Sequence, residues 1–206
     1  MRIENNYSVK AHNTFGINQI TKRFIEYNSA DELKELIKSG KLEQPFFHIG
    51  AGSNLLFVDD YEGTLLHSAI CYIHPVKETK DEVWVSVGAG TCWDDFVAHC
   101  VEKEWYGVEN LSLIPGEVGS AAVQNIGAYG VEVKDLLVSL KAINLLTGEE
   151  REFSNAECQY DYRYSCFKQP EMKVWAVVEV TFKLSKQPTF NLTYKGLLSE
   201  LGEQPY

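Results

Sequence analysis

The sequence lacks the cysteine and histidine patterns of a disulfide framework or a metal site. Its five cysteines are an odd number, and no two of them are spaced as C-x-x-C. The five histidines are scattered, without pairs at metal-ligand spacing. We therefore expect no metal ion, and reduced thiols, which are typical of a cytoplasmic protein.

Long apolar runs and an excess of basic residues are also missing. No apolar stretch approaches the length of a membrane span, and the polar start Met1–Asn6 is not followed by the apolar core of a signal peptide. Lys and Arg total 19 against 29 Asp and Glu, a net charge of −10. This balance argues against a nucleic acid partner, and the missing apolar runs argue against a membrane partner. Neither argues against an anionic ligand held by backbone N–H groups.

The segment Ile114–Val131 contains four glycines and three alanines but neither Lys nor Arg. Glycine loses more backbone freedom on folding than any other residue, so this density indicates that the backbone must approach something closely. Ser120, Gln124 and Asn125 add neutral hydrogen-bonding groups. One interpretation is a phosphate site made of backbone N–H groups in a turn or helix start; the alternative is a structural turn followed by a short buried helix.

A second glycine turn follows the apolar run Phe46–Ile49, and its sequence is Gly50-Ala51-Gly52-Ser53-Asn54. Leu55–Val58 then reads as another strand. A Rossmann fingerprint needs a third glycine and a following helix, so we exclude that fold. A β-hairpin turn remains the simpler interpretation, although a dinucleotide with two phosphates would use two such loops.

The remaining patterns predict mixed secondary structure. Ser29 and Glu32 form a capping box before a helix that ends near Gly40. Strands are expected at Val83–Val87, Leu136–Leu146 and Val174–Leu184, and a helix after Trp93. Because helices and strands are interspersed without a strict βαβ rhythm, the predicted class is α+β.

Arg163 stands in an aromatic segment, flanked by Tyr160, Tyr162, Tyr164 and Phe167. A guanidinium held among rings can bind a carboxylate through two parallel hydrogen bonds. The alternative is a surface turn in which Arg163 stacks on tyrosines or pairs with the neighbouring aspartate.

Several of these segments resemble one family, the UDP-N-acetylenolpyruvoylglucosamine reductases. The resemblance rests on Asn13–Gly16, Ile49–Leu56, Glu109–Gly119, Gln124–Val131 and Tyr162–Phe167, which occur in matching order. It implies an FAD-binding fold of the vanillyl-alcohol-oxidase (PCMH) type, with subdomains at 1–65 and 66–186. Residues 187–206 would begin the connection to a substrate-binding domain that this sequence does not include.

The resemblance implies that FAD lies between the two glycine loops. The cofactor-binding residues it predicts are Gly50, Ala51, Gly52, Ser53, Asn54, Leu55, Ile114, Pro115, Gly116, Ser120, Gln124, Asn125, Gly127, Ala128, Gly130 and Val131.

The resemblance also implies an activity in peptidoglycan synthesis. NADPH would reduce FAD, and the flavin would reduce the enolpyruvyl ether of a UDP-sugar to UDP-N-acetylmuramate. Arg163 would be the catalytic residue that faces the substrate carboxylate, and Tyr129 and Tyr194 would contact the substrate. Since the serine proton donor and the C-terminal glutamate of the family have no counterpart here, we expect an inactive FAD-binding fragment of a monomeric enzyme.

Two alternatives stay open. One is another FAD-dependent oxidoreductase of the same fold, such as an oxidase with covalent flavin; the absence of histidine from both glycine loops argues against covalent attachment. The other is a non-catalytic FAD-binding module.

Overall fold

This computed structural model describes residues 1–201 of the chain. The first of two larger β-sheets is formed by strands from its N-terminal part. Its strands are β1 (Arg2–Ser8), β2 (Ile20–Tyr27), β3 (Phe46–Ile49) and β4 (Tyr61–Ser68), in the order β1-β2-β4-β3. β1 is antiparallel to β2, whereas β2 and β3 both run parallel to β4. Residues 202–206, at the end of the predicted connection, lie outside the described residues.

Helix α1 (Ala30–Lys38) links β2 to β3, as the capping pattern predicts. The Ser29 hydroxyl accepts a hydrogen bond from the Glu32 backbone N–H at 3.1 Å, which satisfies one free donor of the first turn. The Glu32 carboxylate accepts from the backbone N–H of Asn28 at 2.8 Å, one residue earlier than in a standard capping box. Gly40 follows the helix with a φ of +66°, a value that suits glycine.

The strand predicted at Leu55–Val58 is wrong, because these residues form an irregular connection between β3 and β4. Leu56 and Val58 face solvent, with 61% and 74% of their surface exposed. A parallel pair cannot be joined by a tight hairpin, so the chain must travel back along the sheet before β4 begins. The hairpin interpretation of the first glycine turn is therefore excluded as well.

The second larger sheet is antiparallel throughout and follows the order β10-β9-β11-β6-β5. The predicted strands at Val83–Val87, Leu136–Leu146 and Val174–Leu184 are confirmed within it. A two-stranded ribbon, β7 with β8, lies between β6 and β9 in the chain. The strands are β5 (Ile73–Glu78), β6 (Glu82–Gly88), β7 (Gly127–Ala128), β8 (Val131–Glu132), β9 (Leu137–Asn144), β10 (Glu150–Ser154) and β11 (Trp175–Ser185).

Helices α2 (Trp93–Glu102) and α3 (Val118–Gln124) pack on the second sheet, and α4 (Leu197–Leu201) closes the described chain. In the largest core cluster the Phe96 ring on α2 stacks on the Phe182 ring of β11 at 4.9 Å between centroids. No helix among residues 1–201 has the length and apolar character to cross a bilayer.

The two larger sheets share one buried cluster. Ile25 and Leu66 of the first sheet pack with Ile143 and Val178 of the second, and all four are nearly inaccessible to solvent. This packing fixes the junction at which both glycine loops meet. The division at residues 65 and 66 into two subdomains stays a prediction.

Candidate cofactor-binding site

The first glycine loop follows β3 and is held against the N-terminal segment. Gly52 has a φ of +73°, and a Cβ at this position would lie 1.8 Å from the carbonyl oxygen of His12, in the short 3₁₀ helix Val9–His12. Only glycine can occupy this position without moving the backbone. The requirement at Gly52 therefore comes from packing within the protein.

The second loop turns at Gly116 and enters α3. Gly116 has a φ of +128°, in the region that favours glycine, and a Cβ there would lie 3.2 Å from the Ser53 Oγ. On α3, a Cβ at Gly119 would lie 2.8 Å from the Ala89 side chain, so this glycine lets the helix approach the end of β6. Part of the small-residue density thus serves close packing of α3.

The two loops contact each other directly. The Ser53 hydroxyl donates to the carbonyl oxygen of Pro115 at 3.1 Å, and the Asn54 amide donates to the Gln124 Oε1 at 2.7 Å. A Cβ at Gly50 would lie 3.0 Å from the side chain of Ser120. Residues 62 to 70 positions apart in sequence therefore form one polar cluster at the junction of the sheets.

Two cavities meet at this cluster. The larger has a volume of about 410 Å³ and the smaller about 340 Å³. Both are lined by the same six residues, which are Ser53, Asn54, Glu117, Ser120, Gln124 and Lys168. Of the other predicted residues, Gly50, Gly52 and Leu55 line the larger cavity, and Ile114 and Pro115 line the smaller one.

Aromatic and basic side chains that sequence reasoning missed complete the walls. The larger cavity is lined by Phe47, Phe167 and Trp175, and also by Lys168 and Lys173. Both lysines follow the segment Tyr162–Phe167, which carries part of the family resemblance. Their position next to this segment was the sequence feature that could have predicted them as site residues. The site therefore combines flat apolar walls, two ammonium groups and two glycine loops, which suits an elongated anion that ends in an aromatic ring.

Arg163 lines the smaller cavity and has an unusual backbone. Its φ is +52°, and its guanidinium donates to the carbonyl oxygen of Gly127 at 3.0 Å. The Lys168 ammonium donates to the Arg163 carbonyl oxygen. No cation–π contact or ion pair of Arg163 occurs within residues 1–201, so the surface-turn alternative, in which Arg163 stacks on tyrosines or pairs with the neighbouring aspartate, is wrong. Its role in binding a carboxylate stays a prediction.

Asn125 is fully buried and lines neither cavity. Its amide donates to the Glu132 carboxylate at 2.6 Å and to the Asp161 carbonyl oxygen at 2.9 Å, and its oxygen accepts from the Lys134 backbone N–H at 3.0 Å. With a φ of +46° it ends α3 in the left-handed region that asparagine tolerates. The side chain of Asn125 thus positions the loop, and the predicted cofactor contact at Asn125 stays a prediction.

Tyr129 and Tyr194 come together, although both lie outside the two cavities. Their rings meet edge to face, with centroids 5.5 Å apart. Asn110 donates to the carbonyl oxygens of Tyr129 and Asn191, at 3.0 Å and 2.8 Å. The segment before α4 is thereby attached to the second glycine loop. Ala51, Gly116, Gly127, Ala128, Gly130 and Val131 line neither cavity.

No group of three or more His, Cys, Asp or Glu side chains that could hold a metal ion occurs within residues 1–201. All five cysteines are unpaired with one another; Cys71 and Cys92 are exposed and the others are buried.

Comparison with known proteins gives consistent matches. A family model described as "FAD binding domain" matches residues 21–154. The UDP-N-acetylenolpyruvoylglucosamine reductase of Bacteroides fragilis is 55% identical over 203 residues, which cover 98% of this chain and 61% of that protein. The chain thus spans about three fifths of the length of this curated relative.

Solved structures agree on the fold. The reductase from Thermus caldophilus superposes with a TM-score of 0.74 at 27% identity, over 91% of this chain and 64% of that one. An alkyldihydroxyacetonephosphate synthase shares the fold, with a TM-score of 0.57 at 12% identity over 82% of this chain and 32% of that one. The predicted α+β fold of the vanillyl-alcohol-oxidase (PCMH) type, distinct from Rossmann, is confirmed. Since the family model covers well over half of its residues, this chain belongs to the FAD-binding domain family.

Proposed function

We propose that the two glycine loops hold FAD, and that the chain supplies the FAD-binding part of a UDP-N-acetylenolpyruvoylglucosamine reductase. The carrying observation is the loop contact, at which two cavities meet and share six lining residues. A dinucleotide has a central pyrophosphate and two ring ends, and this arrangement offers polar groups in the middle with apolar walls beyond them. The residues present therefore fit FAD.

The proposed contacts divide by position. Gly50, Gly52, Ser53, Asn54 and Leu55 would hold FAD from the first loop, and Ile114, Pro115, Ser120 and Gln124 from the second, since all of these line a cavity. Ala51, Gly116, Asn125, Gly127, Ala128, Gly130 and Val131 remain proposed contacts because they belong to the same loops. Lys168 and Lys173 join the proposal as cations that face the phosphates.

The proposed reaction reduces the enolpyruvyl ether of a UDP-sugar, with NADPH as the reductant. Bound FAD would supply hydride transfer, which is chemistry that belongs to the cofactor. Arg163 would bind the carboxylate of the substrate, where a fixed cation stabilises the negative charge that develops during reduction. Tyr129 and Tyr194, already in contact with each other, would meet the sugar nucleotide.

The proposed setting is the cytoplasm, in precursor synthesis for peptidoglycan and hence in maintenance of cell shape and division. The five unpaired cysteines support a reducing compartment. For the whole enzyme we propose a monomer with a small-molecule substrate and without nucleic acid or membrane partners.

The test is an FAD titration of Gly50→Ala. A Cβ at Gly50 would lie 3.0 Å from Ser120 inside the larger cavity, while the Gly50 backbone is free of left-handed strain. We expect at least tenfold weaker FAD binding, which corresponds to about 1.4 kcal/mol. Because the new Cβ also crowds Ser120 and Glu117, the free energy of unfolding should fall by about 1–3 kcal/mol as well. Quenching of FAD fluorescence measures the affinity.

Gly40→Ala is the matched control. Gly40 has a φ of +66°, and nothing lies within 4 Å of the place that a Cβ would occupy, so this change strains a helix end far from the cavities. It should lower stability by about 1–2 kcal/mol and leave FAD affinity unchanged. Wild-type FAD affinity in Gly50→Ala would contradict the site, and absence of FAD binding by the wild type would refute the proposal.

A further inference from the structure

A buried histidine joins two carboxylates beside the cavities. His67 on β4 is 9% exposed, with its Nδ1 3.0 Å from Glu26 Oε2 and its Nε2 2.8 Å from Glu117 Oε1. A neutral imidazole has a single N–H and can donate to only one of them. The two carboxylates together therefore favour the imidazolium form, which donates to both.

This array crosses the junction of the two sheets. Glu26 and His67 lie on the neighbouring strands β2 and β4, whereas Glu117 precedes α3 and lines both cavities. The second oxygen of Glu117 faces the first glycine loop, 3.2 Å from the position of a Cβ at Gly50. A carboxylate thus stands in the wall of a site that we assign to a pyrophosphate, which it would repel if its charge were not compensated.

Resting on the proposed FAD site, we propose that His67 is a positioning residue for the cofactor. Its positive charge compensates Glu117, and its hydrogen bond fixes the Glu117 carboxylate at the cavity wall. Glu26 holds the opposite ring nitrogen and so fixes the orientation of the imidazole. Occupation of the site by an anion is thereby coupled to the proton on His67.

Other titratable groups surround His67 and modify this balance. The His12 ring lies edge-on to it, with centroids 5.0 Å apart, and burial followed by the charge of His67 lowers the pKa of His12. His48 on β3 stays neutral, since burial lowers its pKa to about 3. The Arg2 guanidinium lies 3.9 Å from the Glu26 carboxylate and partly offsets its charge.

Cys71 is a further titratable neighbour, and its partial burial, with the charges of Glu117 and Glu26 next, raises the pKa of its thiol, which keeps it uncharged. Burial alone would lower the pKa of His67, but the hydrogen bonds and charges of Glu117 and Glu26 outweigh it and raise that pKa above 6.5. The proton on His67 is present at low pH and lost as the pH rises through this raised pKa. FAD affinity should therefore fall on the alkaline side.

The decisive experiment is a double-mutant cycle on FAD affinity with His67→Gln, Glu117→Gln and the double variant. His67→Gln should bind FAD roughly tenfold more weakly, the size expected for one uncompensated charge about 10 Å from an anion. In the Glu117→Gln background the charge to be compensated is gone, so adding His67→Gln should weaken FAD binding by less than about threefold. His74→Gln is the control, because His74 is an exposed histidine of β5.

A pH series adds a readout that a structural role would not change. The wild-type dissociation constant should rise as the pH passes above the ordinary imidazole range of about 6.5, in step with the titration of His67 measured by NMR, and this dependence should flatten in His67→Gln. The wild-type series also decides the question if His67→Gln fails to fold.

Each contrary result has a distinct meaning. Defects that multiply in the double variant, or a wild-type affinity independent of pH, would overturn the role of His67 while FAD binding stands. Absence of FAD binding by the wild type would instead refute the proposed function, and the role of His67 with it.

Discussion

Asn125→Ala should destabilise the protein strongly, because this buried side chain holds the second glycine loop. Asn125 makes two hydrogen bonds to backbone groups and one to the Glu132 carboxylate. A neutral hydrogen bond contributes about 0.5–1.5 kcal/mol and one to a charged group about 1.5–3 kcal/mol. Their loss predicts a fall of about 3–5 kcal/mol in the free energy of unfolding.

The backbone of Asn125 adds a second, separable effect. Its φ of +46° lies in the left-handed region, which costs an alanine roughly 1–2 kcal/mol and glycine almost nothing. Asn125→Gly loses the same hydrogen bonds without this strain. We therefore expect the glycine variant to be about 1 kcal/mol more stable than the alanine variant and less stable than the wild type.

Urea unfolding of the FAD-free protein, followed by circular dichroism, measures the free energies of unfolding of the alanine and glycine variants relative to the wild type. The comparison requires that all variants share the same dependence of free energy on urea concentration. Asn5→Ala, at an exposed strand position, is the control and should change stability by less than about 0.5 kcal/mol. A loss below about 1 kcal/mol in Asn125→Ala would refute the reasoning. So would equal stability of the alanine and glycine variants.

Two further predictions concern the reaction. In a reductase that contains this sequence, Arg163→Ala should keep FAD bound but slow substrate reduction by a factor on the order of 10²–10³, and Arg163→Lys should recover only part of the rate. Stopped-flow measurement of the reoxidation of reduced flavin by substrate tests this. A normal rate in Arg163→Ala would contradict the proposed role of Arg163. The 206-residue polypeptide is expected to bind FAD without forming UDP-N-acetylmuramate, since the serine proton donor that the resemblance implies has no counterpart in these residues. Mass spectrometry of products tests this, and intact mass after denaturation tests covalent flavin.

The sequence predicted the regular elements well where the pattern was local. The alternation in Val174–Leu184 and the capping residues of α1 correspond to β11 and to the observed helix start. The strand predicted at Leu55–Val58 was wrong because an apolar run does not reveal whether its residues will pair with another strand. Here these residues belong to the connection that returns along the sheet between the parallel strands β3 and β4.

The site was predictable as two glycine loops but not as a set of contacts. Sequence alone cannot distinguish a glycine required by a ligand from one required by protein packing, such as Gly52 against His12. Lys173 and Trp175 reach the larger cavity from the start of β11, more than 100 residues beyond the first loop. Such long-range proximity depends on sheet order, which the local pattern does not encode.

The contact between the two loops has a consequence for the lifetime of the protein in a cell. Ser53 and Asn54 join the sheets at the place where a ligand would also bridge them. A molecule bound there would strengthen the junction only in the folded state, so ligand concentration would set how often the sheets separate. Proteases that cleave transiently opened chains would then remove ligand-free copies first, and turnover itself would enrich the loaded form.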